Sequence, residues 1–102
     1  GLGAISIIDD DGKLVGIVTD GDLRRTIEKY DGLPDLKVKE IMTKKPVVIG
    51  PDALAVEALK AMEAREIMVL PVIDADYKPV GMIRLHDIVK AGIVSEKCYD
   101  EY

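Results

Sequence analysis

Two short stretches concentrate the side chains that can do chemistry. Thr19-Asp20-Gly21-Asp22 follows an apolar run at residues 15–18, and Arg84-Leu85-His86-Asp87 follows another at residues 80–83. In the first, a strand end meets a helix start. Free backbone N–H groups and the helix dipole there suit phosphate oxygens. Gly21 lacks a Cβ, so a ligand can come close to the backbone. The Thr19 hydroxyl can donate to phosphate or ribose, and the Asp22 carboxylate can accept from two vicinal ribose hydroxyls. In the second stretch, Arg84 brings a permanent charge able to fork onto a phosphate, which would favour an anionic ligand. A plainer reading stands beside this one. Thr19-x-x-Asp22 is close to a capping box, which satisfies helix N–H groups without any ligand. Arg84 cannot cap in that way, yet the acid recurs at Asp87.

Other reactive side chains carry less. His86 is the one histidine, and with Cys98 it makes a poor metal site. It reads as a residue at a helix start, on the surface or packed. Cys98 lies in a polar tail and is read as an incidental thiol. Asp9, Asp10 and Asp11 lack the further acidic spacing of a calcium loop and read as a solvated turn. Met62, Met68 and Met82 read as core filler. Arg24 and Arg25 read as a solvated helix face, with phosphate binding as the alternative. A second histidine, a nucleophile–base set and a Gly-rich phosphate loop are all lacking, which argues against catalysis by this chain.

The elements that must position these residues are legible in order. Residues 4–8 and 14–18 form a hairpin across the turn 9–13, where Gly12 is free to take positive φ. A helix runs from about Asp20 to about Lys29, and residues 30–35 break it. Residues 38–42 make one helical turn. Residues 46–49 form a short strand, placed at an edge by Pro46. Asp52 is expected to cap a helix over 53–65, with Leu54, Ala58, Ala61 and Met62 on one face. Residues 67–73 and 79–84 form a second hairpin, a helix follows over 85–93, and the tail 95–102 frays.

The two hairpin-and-helix segments repeat at an offset of 65 positions. Ile8/Ile73, Asp9/Asp74, Asp11/Asp76, Lys13/Lys78, Val15/Val80, Gly16/Gly81 and Asp22/Asp87 agree. The second segment has a strand and a helix ahead of its hairpin, and the first has no room for them. The sequence therefore reads as one complete β-α-β-β-α unit preceded by the second half of another. Residues before Gly1 are expected to belong to the natural protein.

This pattern resembles the cystathionine-β-synthase (CBS) domain, an α+β (α/β) fold usually paired in tandem as a Bateman module. Gly16-Ile17-Val18-Thr19-Asp20-Gly21-Asp22 fits the family marker of Gly, two hydrophobics, Ser/Thr, two residues and Asp. Gly81 to Asp87 fits it except at Arg84. Met42-Thr43 and Leu70-Pro71-Val72 are further marks. The resemblance divides the chain into 1–36, the C-terminal half of a first CBS repeat plus a linker; 37–94, a second repeat; and the tail 95–102. Thr19-Asp20-Gly21-Asp22-Leu23-Arg24-Arg25, with His86-Asp87 and Ala91-Gly92, resembles the CBS pair of the arabinose-5-phosphate isomerase family. Those enzymes feed the synthesis of Kdo, a sugar acid of lipopolysaccharide, and their catalytic sugar-isomerase (SIS) domain precedes the CBS pair.

The resemblance implies a regulatory module in which Thr19, Asp20, Gly21, Asp22 and Val47, with Arg84, His86 and Asp87, contact an effector in the cleft between repeats. That effector would be an adenine nucleotide or a CMP-sugar, and no cofactor is required. It also implies a homodimer through the CBS pairs and an N-terminal SIS domain as partner. Ligand-free oligomerisation is the alternative role. A formal net charge of −5 argues against nucleic-acid binding by bulk charge. No apolar run approaches the roughly 18–20 residues that cross a bilayer. A single cysteine excludes an internal disulfide and fits a reducing cytoplasm.

Overall fold

A computed structural model describes residues 3–31 and 35–90. The chain divides into two compact units, residues 1–46 and residues 47–102. The division falls later than the end of the first sequence repeat, because residues 38–44 fold onto the first hairpin.

In the N-terminal unit, β1 (Ala4–Ile8) and β2 (Leu14–Thr19) run antiparallel, from Ala4 opposite Thr19 to Ile8 opposite Leu14. Their β-branched residues suit the pleat, and Leu14, Ile17 and Val18 are buried. The Asp9 carboxylate makes the turn between them, accepting from the backbone N–H groups of Asp11 at 2.9 Å and Lys13 at 3.0 Å. Gly12 sits there at φ 83°. Helix α1 (Asp20–Tyr30) follows without a loop and stops at Asp31, which turns left-handed at φ 55° and donates its N–H to the Ile27 carbonyl. Helix α2 (Val38–Ile41) is a single turn, as its length in the sequence suggests.

The two-residue strand β3 (Thr43–Lys44) then adds to the far side of β2, pairing Thr43 with Ile17 and Lys44 with Gly16. Two polar residues give no periodic signal, so the sequence did not announce it. Gly16 makes it possible. A Cβ there would stand 2.6 Å from the Met42 sulfur and 2.8 Å from the Thr43 carbonyl oxygen.

In the C-terminal unit, α3 (Ala55–Arg65) precedes the hairpin of β4 (Val69–Ile73) and β5 (Pro79–Arg84), and α4 (Leu85–Lys90) follows. The second hairpin copies the first residue for residue. Val69 faces Arg84 as Ala4 faces Thr19, and the register slips between Val72 and Ile73 as it does between Ile7 and Ile8. Asp74 repeats the turn of Asp9, accepting from Asp76 N–H at 2.8 Å and Lys78 N–H at 3.0 Å.

The core of this unit is aliphatic. Ala58, Leu59 and Met62 of α3 enclose Leu70 with Leu85 and Ile88 of α4. Leu70 is fully buried, worth about 2 kcal/mol in removed apolar surface. Its counterpart Ile5 is 59% exposed, because no described helix lies over β1 as α3 lies over β4.

Three expectations need correction here. The strand over 46–49 reduces to one parallel bridge, Ile49 to Val72, closed by Ile49 N–H to the Pro71 carbonyl at 3.0 Å and Ile73 N–H to the Ile49 carbonyl at 2.9 Å. Pro46 has no N–H, and Pro51 follows shortly, so no longer ladder can form. Asp52 does not cap α3. A turn closed by Ala53 N–H on the Gly50 carbonyl intervenes, and Leu54 takes the cap position without a side-chain hydrogen bond. Leu54 is therefore outside the helix and 63% exposed, while Leu59 takes the core place expected of it. Residues 91–93 of the last helix and the tail 95–102, with Cys98, lie outside the described residues. Among the described residues, no strand pairs with the outer edge of β1 or of β5. No helix among them is long and apolar enough to cross a membrane.

Candidate functional site

The junction of β2 and α1 is built around Asp22. Thr19, still extended at φ −115°, is the N-cap, and its hydroxyl oxygen accepts the Asp22 N–H at 3.2 Å. Asp22 returns the bond, its Oδ2 accepting the Thr19 N–H at 2.8 Å and the Thr19 hydroxyl at 3.2 Å. This is the capping box the spacing suggested. Oδ1 takes two further donors: Arg25 Nη2 at 2.6 Å and the Thr43 hydroxyl at 3.2 Å. Asp22 is only 6% exposed. Four donors match the lone-pair capacity of a carboxylate, and they neutralise a charge that would be costly to bury alone.

Asp20 does different work. Its Oδ2 accepts the Gly3 N–H at 2.8 Å, and its own N–H donates to the Gly3 carbonyl at 3.2 Å. That pair fastens the start of α1 to the start of β1. Gly21 leaves little spare room: a Cβ there would lie 3.2 Å from an Arg25 nitrogen and 3.5 Å from the Thr19 hydroxyl. Beside Asp22, a hollow of about 160 Å³ is lined by Arg25, Lys29 and Tyr30 of α1 and Glu40 and Ile41 of α2.

The junction of β5 and α4 has the same backbone frame, with Leu85 N–H on the Met68 carbonyl at 2.8 Å in place of the Asp20–Gly3 bond. Its side chains differ. Arg84 lies where Thr19 lies in the first unit, and its Nε and Nη2 reach the two Asp87 oxygens at 3.0 and 3.4 Å. Both side chains are 47% exposed. His86 is exposed on the first turn of α4. Val47 packs at the margin of the aliphatic core. Within each unit the structure thus gathers Thr19, Asp20, Gly21 and Asp22 at one junction, and Arg84, His86 and Asp87 at the other. Among the described residues, no group of three or more His, Cys, Asp or Glu side chains is placed to hold a metal ion.

The sequence reading missed the part Arg25 and Thr43 play. Arg25 stands three positions after Asp22, a spacing that brings helical side chains together. Thr43 is 21 positions away, and only the unannounced strand β3 brings it there.

The CBS domain family model matches residues 1–29 and 38–94, which together make up most of the chain. The chain belongs to the CBS-domain family. The arabinose 5-phosphate isomerase KdsD of Pseudomonas aeruginosa is 42% identical over 94 residues, covering 92% of this chain and 29% of that protein. The chain therefore spans less than a third of the length of that curated relative. Among solved structures, the CBS domain pair of protein MJ0100, in complex with 5′-methylthioadenosine and S-adenosyl-L-methionine, superposes with a TM-score of 0.79. It is 27% identical, over 87% of this chain and 68% of that one. CBSX2 in complex with AMP gives 0.71 at 29% identity, over 88% and 70%. The CBS pair expected from the two marker stretches is borne out, and CBS domains are regulatory rather than catalytic.

Proposed function

We propose that this CBS pair is the regulatory module of an arabinose-5-phosphate isomerase, which responds to an adenine nucleotide or a CMP-sugar through its two strand–helix junctions. One observation carries the reading: the same backbone frame ends in an aspartate twice, at Asp22 and Asp87, in a chain similar to CBS pairs solved with adenosine-type ligands. Thr19, Asp20, Gly21 and Asp22 of the first repeat, and Val47, Arg84, His86 and Asp87 of the second, would be the residues that contact such ligands. Arg84 adds a permanent positive charge suited to phosphate. The catalytic domain, the Kdo pathway and a cytoplasmic setting belong to the same reading.

A thermal-shift series with AMP, ATP, S-adenosylmethionine and CMP-Kdo tests it. A ligand at 100 times its Kd stabilises the folded state by about 2.7 kcal/mol. No shift with any of the four removes the reading for this chain.

Exposed apolar residues favour a second role, as an assembly module. Ile5 of β1 and Leu23, Ile27 and Tyr30 on α1 are all exposed, and the last three recur at the i, i+4, i+7 spacing of one helix face. Light scattering separates the two readings. Dimers that depend on protein concentration and ignore nucleotides favour assembly.

A further inference from the structure

The two aspartates hold one place in the repeat but face opposite circumstances. The Asp87 side chain is 47% exposed and pairs with Arg84. Asp22 is 6% exposed and already holds four donors. A ribose diol needs two acceptor positions on one carboxylate. Oδ2 is committed to the Thr19 N–H and hydroxyl that start α1, so only Oδ1 can exchange partners. Its partners are Thr43 and Arg25. The Arg25 side chain is 70% exposed, so it can leave for water at small cost.

We infer that Arg25, supported by Thr43, latches the first repeat by occupying Asp22 Oδ1, so that a ligand hydroxyl binds there only when the guanidinium swings out. This rests on the nucleotide reading above and adds a determinant of affinity at the enclosed aspartate of the first repeat. The equivalent position in the second repeat is Lys90, and Asp87 takes its guanidinium from Arg84 on the opposite side in sequence. The repeats are therefore unequal receptors. Each aspartate holds an internal guanidinium, but only Asp22 is also enclosed and bonded by three further donors, so only there does release of the arginine decide access.

Two measurements on the full chain test the latch. The first is amidation of carboxylates with a carbodiimide and glycine ethyl ester, read by peptide mass spectrometry. Asp22 should react more slowly than Asp87, and Arg25→Ala should raise the Asp22 rate several-fold while leaving the Asp87 rate unchanged. The second is calorimetric titration with AMP. Arg25→Ala should bind about five-fold more tightly than the unchanged protein, the ratio expected when a largely exposed ion pair no longer competes. Thr43→Val should shift affinity in the same direction. Lys39→Ala, an equal change of charge elsewhere in the unit, should leave affinity unchanged. Unaltered Asp22 reactivity in Arg25→Ala overturns the latch, and so does equal or weaker AMP binding by that variant when the unchanged protein binds AMP. If Asp22 is unmasked but no protein binds AMP, the latch stands and the adenine-nucleotide reading falls.

Discussion

Gly12 and Tyr77 occupy the same left-handed position of two superimposable turns, at φ 83° and 64°. Each donates its N–H to the carbonyl of the turn's first aspartate, Gly12 to Asp9 at 3.0 Å and Tyr77 to Asp74 at 3.1 Å. Glycine takes this conformation freely, whereas a residue with a Cβ is strained by roughly 1–2 kcal/mol. Tyr77 is 40% exposed and loses little packing on removal. Tyr77→Gly should therefore stabilise the chain by about 0.5 kcal/mol after the extra freedom of the unfolded glycine is counted. Gly12→Ala should cost about 1 kcal/mol. Urea unfolding midpoints read both, and a drop on Tyr77→Gly would contradict the strain assigned to the second turn.

Gly16 and Gly81 carry the same letter for different reasons. A Cβ at Gly16 meets Met42 and the Thr43 carbonyl, while one at Gly81 finds only Val72 Cβ at 3.9 Å. Gly16→Ala should cost about 1–3 kcal/mol, the range for forcing atoms into filled space. Gly81→Ala should be neutral or mildly stabilising. Circular dichroism melts of the two variants distinguish them.

Leu70 and Ile5 should respond unequally to truncation. Leu70→Ala empties the centre of a closed core and should cost about 2–5 kcal/mol. Ile5→Ala removes a half-exposed side chain and should cost less than about 1 kcal/mol. Chemical denaturation of the two variants gives the difference directly.

The two junction aspartates should separate in the same way. Asp22→Ala removes the acceptor of the part-buried Thr19 N–H and hydroxyl and frees the exposed Thr43 and Arg25, and should cost about 1–3 kcal/mol. Asp87→Ala breaks a half-exposed pair and should cost less than about 1 kcal/mol. Equal losses of stability would show that Asp22 is no more structural than Asp87.

The sequence was most legible where one residue type answers a local need. The β-branched residues, the acidic turns and the recurrence at 65 positions delivered both hairpins and the repeat of one unit in the other; their register came from the structure. The capping box was readable because Thr19 and Asp22 are three positions apart. What escaped was decided at a distance. Thr43 reaches Asp22 through a strand of two polar residues, and Gly16, which admits that strand, carries no mark in its own neighbourhood. Leu54 looked like core by spacing alone, and the turn at 50–53 moved it out of the helix. Arg25 looked like surface, and by exposure it is, yet its guanidinium ends on the most enclosed acid among the described residues.

The outer edge of β1 has a chemical meaning of its own. Among the described residues no strand lies beside its row of backbone donors and acceptors, and with Ile5 and Ile8 more than half exposed such an edge is a template for an extended segment of another molecule. Concentrated solutions should accordingly lose material by intermolecular sheet growth nucleated there. A lysine in place of Ile5 would discourage such stacking while leaving the hairpin's own ladder untouched.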